Sequence, residues 1–179
     1  QDEYLSLGIT SIADMACVPS DISLYQDMLN NGDLKVRMRY WPIARSLDCS
    51  ITAKPELLGT LGIKSGLGND MLRFMGAKFQ LDGSVGCRTA ALSRPYDDSS
   101  NCGVLYYEHT EELISEVVYA IENGLRVAMH AIGDRAIDVA IACYEEAAKH
   151  FDINKMRNRI EHASMSRPDQ IESFKRLGL

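Results

Sequence analysis

Short β-like runs alternate with amphipathic, helix-like runs along almost all of this 179-residue chain, and that order constrains its fold more than any other feature. Strand and helix in repetition imply parallel strands joined by crossover helices. Five strand-like runs are read, near residues 9–14, 35–41, 75–81, 126–130 and 159–162. One helix opens at Ser20-Asp21-Ile22-Ser23, carries Ile22, Leu24, Tyr25, Met28 and Leu29 at helical spacing, and stops at Asn31-Gly32. A shorter one is read after Pro55. Thr110-Glu111-Glu112 gives another its acidic first turn, and its stripe of Leu113, Val117, Val118 and Ile121 ends at Asn123-Gly124. Asp134 is read as the cap of a helix reaching about His150, and Ser166 as the cap of a last helix entered through Pro168.

The strand spacing is too uneven for a solenoid and suits a barrel with elaborated loops. The expected fold is α/β: a partial TIM (β/α)8 barrel forming one incomplete domain over residues 1–179. Both ends read as truncated. The last helix leads toward a further strand, and the opening strand has no helix or partner before it. A half barrel leaves two strand edges unpaired, which stable domains cover. The chain is therefore read either as a piece of a longer enzyme or as a homo-oligomer in which a second copy covers those edges.

A net charge of −6 and a pI near 5.2 disfavour nucleic acid as a partner, and no Lys/Arg stripe reverses that balance. Five cysteines (Cys17, Cys49, Cys87, Cys102 and Cys143) are odd in number and lack CxxC spacing, which suits reduced thiols in a cytoplasm rather than a disulfide frame. No apolar run approaches the roughly 20 residues that span a bilayer, so no membrane partner is expected. None of this bars a small-molecule substrate, and no partner follows from charge alone.

Chemistry concentrates where strands give way to helices, because the carboxyl ends of barrel strands converge on one face. His130 and His162 both stand there, about one βα unit apart, and Lys78 belongs to an earlier run of the same kind. Alternation along a strand puts Lys78, Gln80 and Asp82 inward and Ala77, Phe79 and Leu81 toward the helices. The same rule, applied from His162, sends Ile160 inward and Arg159 and Glu161 outward. Arg37 and Arg39 share one face of their strand, with pocket side and helix side both open. Lys78 is either an ammonium paired with Asp82 or an amine that has captured carbon dioxide as a carbamate, an anionic oxygen ligand able to bridge two metal ions. Each histidine is either a hydrogen-bonded core residue or a ligand of a zinc-type site that keeps a position open for water. The loop from Gly83 to His109, long and rich in turn residues, reads either as functional or as a mobile surface excursion. His109 reads as a loop residue, and His150 as a structural residue at a helix end.

Lys78-Phe-Gln-Leu-Asp-Gly-Ser-Val-Gly-Cys-Arg-Thr-Ala-Ala-Leu92, Arg94-Pro-Tyr-Asp97, His130-Ala-Ile-Gly-Asp-Arg-Ala-Ile-Asp138 and Arg159-Ile-Glu-His-Ala163 together resemble the amidohydrolase superfamily. The likeness is to the amidohydrolase family 3 branch that includes N-substituted formamide deformylases. It covers almost the whole chain, including Leu7-Gly-Ile-Thr-Ser-Ile-Ala-Asp14. It implies that the strands are the second to sixth of a metal-dependent barrel, with Lys78 at the carbamylated-lysine position and His130 and His162 as fifth- and sixth-strand ligands. An HxH pair on the first strand and an aspartate on the eighth complete the family's set and are absent from this sequence. The implied cofactor is one or two divalent metal ions, with zinc foremost and iron, manganese and nickel open.

The implied activity is hydrolysis of a non-peptide carbon-nitrogen bond by metal-activated water, with Lys78, His130 and His162 as metal-binding and catalytic residues. Asp82, Ser84, Arg88 and Asp134 are candidates to contact substrate. Two other classes stay open: a metal-free binding or regulatory barrel, and a structural piece with no activity.

Overall fold

A computed structural model describes residues 1–46, 52–107 and 109–179. Cys49 lies outside the described residues. The first element is a short helix, α1 (Asp2–Ser6), so a helix does precede the opening strand. After it come β1 (Ser11–Cys17), α2 (Pro19–Asn31), β2 (Arg37–Arg45), α3 (Pro55–Thr60), β3 (Leu72–Phe74) and β4 (Ala77–Gln80). The second half contains α4 (Thr110–Glu122), β5 (Val127–Ala131), α5 (Asp134–Ala148), a 3-10 turn (Ile153–Lys155), β6 (Arg159–His162) and α6 (Pro168–Leu177).

The strands form one sheet in the order β1-β2-β4-β5-β6, with every neighbouring pair parallel. This is a half barrel, the partial TIM barrel that strand and helix alternation implied. β3 was not read from the sequence. It pairs with the first part of β2, Met38 to Leu72 through Tyr40 to Phe74, while β4 takes over alongside Ile43. The two are halves of one strand broken at Gly76, whose φ is +147° and whose missing Cβ leaves room for the carbonyl of Arg126. β2 also runs past Pro42, where the reading from sequence stopped. Pro42 stands where the register with β1 shifts, between Asp14 and Cys17, so its lack of an N–H breaks no regular ladder.

The helices cover one face of the sheet. Ala77, Phe79 and Leu81 from the β4 segment, with Val127 and Met129 from β5, pack against Leu113, Val117 and Ile121 of α4 and Ile137, Ala140 and Tyr144 of α5. Tyr144 is fully buried, and its hydroxyl lies 3.1 Å from the carbonyl of Val127 and 2.8 Å from that of Arg159, tying β5 to β6. A smaller cluster joins Leu34, Met38 and Leu72 to Tyr25, Met28 and Leu29 of α2. Met38 therefore faces the helices, and Arg37 and Arg39 face the barrel interior.

Two helix starts differ from the reading. Gly133 is the N-cap of α5, and Asp134 is its first residue with the carboxylate directed elsewhere. Arg167, not Ser166, caps α6: Gln170 accepts its N–H at 2.9 Å, while the Ser166 hydroxyl turns back to the carbonyl of Ala163. The four described cysteines are free thiols. Among the described residues, no helix is long and apolar enough to cross a membrane.

Candidate active site

Strand register decides which side chains meet. Lys78 pairs with Ala128 and Ala128 with Arg159, while Gln80 pairs with His130 and His130 with Glu161. These rows alternate with Phe79, Met129 and Ile160, of which Phe79 and Met129 lie in the helix-side core and Ile160 packs against it. The direction assigned to β6 from the sequence is thus reversed: Ile160 faces the helices, and Arg159 and Glu161 share the interior face with Lys78. They pair with each other there. Lys78 itself lies two residues deeper than His130, about 6.6 Å along a strand, a span its four methylenes and amine can bridge. Only 5% of it is exposed. Burial pulls its ammonium down to about 8, with Glu161 opposing the change and Arg159 adding to it.

If His162 simply continued the alternation of β6, it would point with Ala131 toward the helices. Instead its backbone is left-handed, φ +72°, and Ala163 follows at φ +50°. Such a conformation costs a residue with a Cβ about 1–2 kcal/mol. Two hydrogen bonds to the neighbouring strand segment hold it, from the N–H of Ala163 to Ala131 at 3.1 Å and from that of Met165 to Ile132 at 3.0 Å. The result is an edge-on histidine pair, with ring centroids 4.5 Å apart and planes at 70°.

His130 is fixed from the other side. Its Nε2 lies 2.9 Å from the carbonyl of Gly83 and 3.4 Å from Oδ1 of Asp82. A carbonyl only accepts, so Nε2 carries the proton and Nδ1 keeps its lone pair. Burial holds the pKa of His130 below its usual value, helped by the positive fields of Lys78 and His162 and opposed by the Gly83 carbonyl and Asp82. Asp82 has no exposed surface. It accepts the N–H groups of Ala91 at 2.9 Å, Ile132 at 3.0 Å and Gly133 at 2.8 Å. Its carboxylate locks the loop after β4 onto the β5–α5 turn and braces His130.

The other predicted residues stand apart from this group. Ser84 shapes the start of the loop, its hydroxyl accepting from the N–H of Cys87 and its own N–H donating to Thr89. Arg88 pairs with Asp98 and lies over the ring of Tyr96. Asp134 accepts from the N–H of Ser93 at 2.8 Å, from the Ser93 hydroxyl, and from Arg167 at 3.1 Å. Neither Ser93 nor Arg167 is marked by a local pattern in the sequence. Loop 83–107 is packed rather than a free excursion: Leu92 bonds to Cys102, Val104 to Thr89, and Tyr106 back to Leu81. His109 precedes α4 as an exposed N-cap, and His150 sits beside Glu146 at the end of α5.

Lys78, His130 and His162 thus lie on adjacent strands at one rim, with a free imidazole lone pair and a buried amine among them. Among the described residues, no three His, Cys, Asp or Glu side chains converge as a metal-holding group by themselves. The model of a family described as "Amidohydrolase family" matches residues 1–179. The chain belongs to the amidohydrolase family. It is 30% identical over 179 residues to Protein LONG AFTER FAR-RED 3 of Arabidopsis thaliana, covering 97% of this chain and 30% of that protein. Over 159 residues it is 30% identical to the putative amidohydrolase YtcJ of Bacillus subtilis, covering 85% and 29%. Among solved structures, an uncharacterized metal-dependent hydrolase from Pyrococcus furiosus superposes with a TM-score of 0.80 at 35% identity, covering 99% of this chain and 34% of that one. Its counterpart from Pyrococcus horikoshii gives 0.79 at 36%, covering 99% and 33%. This amidohydrolase chain therefore spans about a third of the length of its relatives.

Proposed function

We propose that this chain carries the second to sixth barrel strands of a metal-dependent hydrolase that cleaves a non-peptide carbon-nitrogen bond, in the N-substituted formamide deformylase-like branch of the amidohydrolases. The observation that carries the reading is the histidine pair, brought edge to edge by a strained left-handed turn at the end of β6. Unfavourable backbone held in place by its surroundings is characteristic of functional sites. The donor chemistry fits a divalent metal, with zinc the first choice: two imidazoles, one with its Nδ1 lone pair free, beside an amine that burial has brought near neutrality. His130 and His162 would supply nitrogen donors, and Lys78, as its carbamate, an oxygen donor. A metal held there lowers the pKa of water toward neutrality and polarises a carbonyl.

The chain's other residues act around that chemistry. Gly83 and Asp82 fix the tautomer and tilt of His130, as partners behind metal-ligating histidines do elsewhere. Carbamate formation requires the neutral amine: the nitrogen lone pair of Lys78 attacks carbon dioxide, a C–N bond forms, and the proton lost from nitrogen leaves to solvent. A reducing cytoplasm belongs to the same proposal, as does a second copy covering the edges of β1 and β6 wherever the chain stands without the rest of its barrel.

The test is metal analysis and amide hydrolysis by the full-length gene product, beside its Lys78→Ala and His130→Ala variants. Bound metal and hydrolysis that both fall in the variants are the expected outcome. Equal metal content and equal turnover in Lys78→Ala would remove the carbamate, and a metal-free protein that still binds ligands would favour a binding barrel.

A further inference from the structure

A cavity of about 280 Å3 opens at the amino ends of β5 and β6, the opposite end of those strands from the two histidines. Arg126 lines it just before β5, Arg157 and Asn158 just before β6, and Arg159 at the first position of β6, with Gly178 and Leu179 closing it after α6. Its volume lies just under the roughly 300 Å3 at which drug-sized sites begin, so it suits a compact group. Three guanidinium groups gather here on a chain whose net charge is −6.

Those three groups are only partly engaged within the fold. Arg159 is paired with Glu161 through Nε and Nη2, which leaves Nη1 outside the pair. Arg126 lies over the ring of Trp41, 5.3 Å from its centre, and its Nη2 donates to the carbonyl of Arg157 at 2.6 Å. Arg157 presents that carbonyl from a left-handed backbone, φ +58°, which is costly for a residue with a Cβ. Among the described residues, no carboxylate forms an ion pair with Arg126 or Arg157. Burial, and after it the positive fields of Arg157 and Arg159, hold the guanidinium of Arg126 below its usual pKa.

Two buried donors in the lining also lack an acceptor, Nε of Arg126 and Nδ2 of Asn158. Asn158 is 2% exposed and cannot flip to relieve this, because its Oδ1 accepts the N–H of Val127 at 2.9 Å and a flip would set donor against donor. Unmet buried donors beside unneutralised cations call for an anion. The donors belong to four side chains on two strand entries. A tetrahedral oxyanion, with acceptors in several directions, meets more of them than a planar carboxylate does.

We propose that this cavity is an oxyanion site in which Arg126, Arg157 and Arg159 bind phosphate, either as the free ion or as the phosphoryl group of a small phosphate monoester. The inference stands apart from the hydrolase reading, since it uses neither histidine nor Lys78.

The experiment is calorimetry on the full-length gene product in phosphate-free buffer, with inorganic phosphate, glycerol phosphate and acetate as titrants. Saturable binding of inorganic phosphate, weaker binding of acetate, and a loss of phosphate affinity of roughly tenfold or more in both Arg126→Gln and Arg157→Gln are expected. Arg157 is exposed, so its variant keeps the test open if Arg126→Gln fails to fold. His130→Ala should bind phosphate as the wild type does. Glycerol phosphate binding tighter than inorganic phosphate would assign the site to a monoester, and equal or weaker binding to the free ion. Absence of saturable phosphate binding overturns the inference, as does affinity unchanged in Arg157→Gln. Binding that is lost in His130→Ala also overturns it, because the phosphate would then sit at the histidine rim.

Discussion

Replacing Lys78 by methionine tests whether a buried amine has been brought within reach of neutrality. Methionine keeps an unbranched chain of similar volume and removes the charge. The ammonium of Lys78, 5% exposed, is pulled from 10.5 to about 8, and at 1.36 kcal/mol per unit this corresponds to about 3 kcal/mol of differential destabilisation. Below pH 8 the amine is charged in the folded and unfolded states alike, so the fold bears the full desolvation cost. Above 10.5 it is neutral in both, and the cost is gone. Between the two the unfolded chain binds more protons, so stability rises with pH. Urea denaturation in carbon dioxide-free buffer should therefore show the wild-type chain gaining on Lys78→Met by up to about 3 kcal/mol between pH 8 and 10.5. Other groups that titrate there cancel in the difference. At pH 7.5 roughly a quarter of the Lys78 amine would be neutral, against about one part in a thousand for an exposed lysine, and only the neutral fraction can attack carbon dioxide. A wild-type minus variant difference that stays flat across this window would refute the argument, because it would mean that the amine is solvated or paired in the fold.

Asp82→Ala should cost about 3 kcal/mol, since three N–H groups, two of them buried and one half-buried, lose their acceptor; thermal melting would show a drop of roughly 6–12 °C, against less than about 0.5 kcal/mol for the exposed Asp97→Ala. Gly133→Ala would place a Cβ 1.9 Å from the carbonyl of Ala91 and should destabilise by about 2 kcal/mol or more in urea, while Gly86→Ala, with open space around it, stays near neutral. His130 is held below its usual pKa and is neutral in the fold, so its burial favours folding above pH 6.5 and progressively less as pH falls toward the folded value. Acid titration of stability should lose that slope in His130→Gln, and an unchanged slope would assign it to other groups.

Periodicity made the helices and most strands legible, because a stripe such as Leu113, Val117 and Ile121 has one physical use, burial against the sheet. The stops at Gly32 and Gly124 were equally readable, since both take the left-handed backbone that glycine tolerates. β3 was not readable. Three residues are too few to display alternation, and the break at Gly76 depends on the approach of Arg126 from another strand, a contact with no local trace. The roles of Asp82 and Asp134 were hidden for a related reason. An aspartate beside glycine looks like a turn or cap residue locally, yet the groups these carboxylates serve, Ala91, Ile132 and Gly133 in one case and Ser93 and Arg167 in the other, lie in other segments of the chain.

The β6 strand shows how alternation counted from one inward residue can assign the wrong direction. Counting back from an inward His162 puts Ile160 inside and Glu161 outside, but the alternation ends at the histidine itself, where the backbone turns left-handed. Register and hydrophobicity agree on the opposite assignment: Ile160 joins the row of Phe79 and Met129 against the helices, and Glu161 joins His130. The reversal matters for chemistry. With Glu161 on the interior face, Lys78 has a carboxylate nearby that favours its charged form, and Arg159 on the same face opposes that influence. The Arg159–Glu161 pair thus damps both fields, leaving desolvation as the main control on the amine. A strand of regular alternation could not hold both this pair and His162 on the barrel side, since adjacent residues face opposite ways. The left-handed turn resolves that conflict, at a local backbone cost of about 1–2 kcal/mol, by letting His162 reach His130 immediately after Glu161.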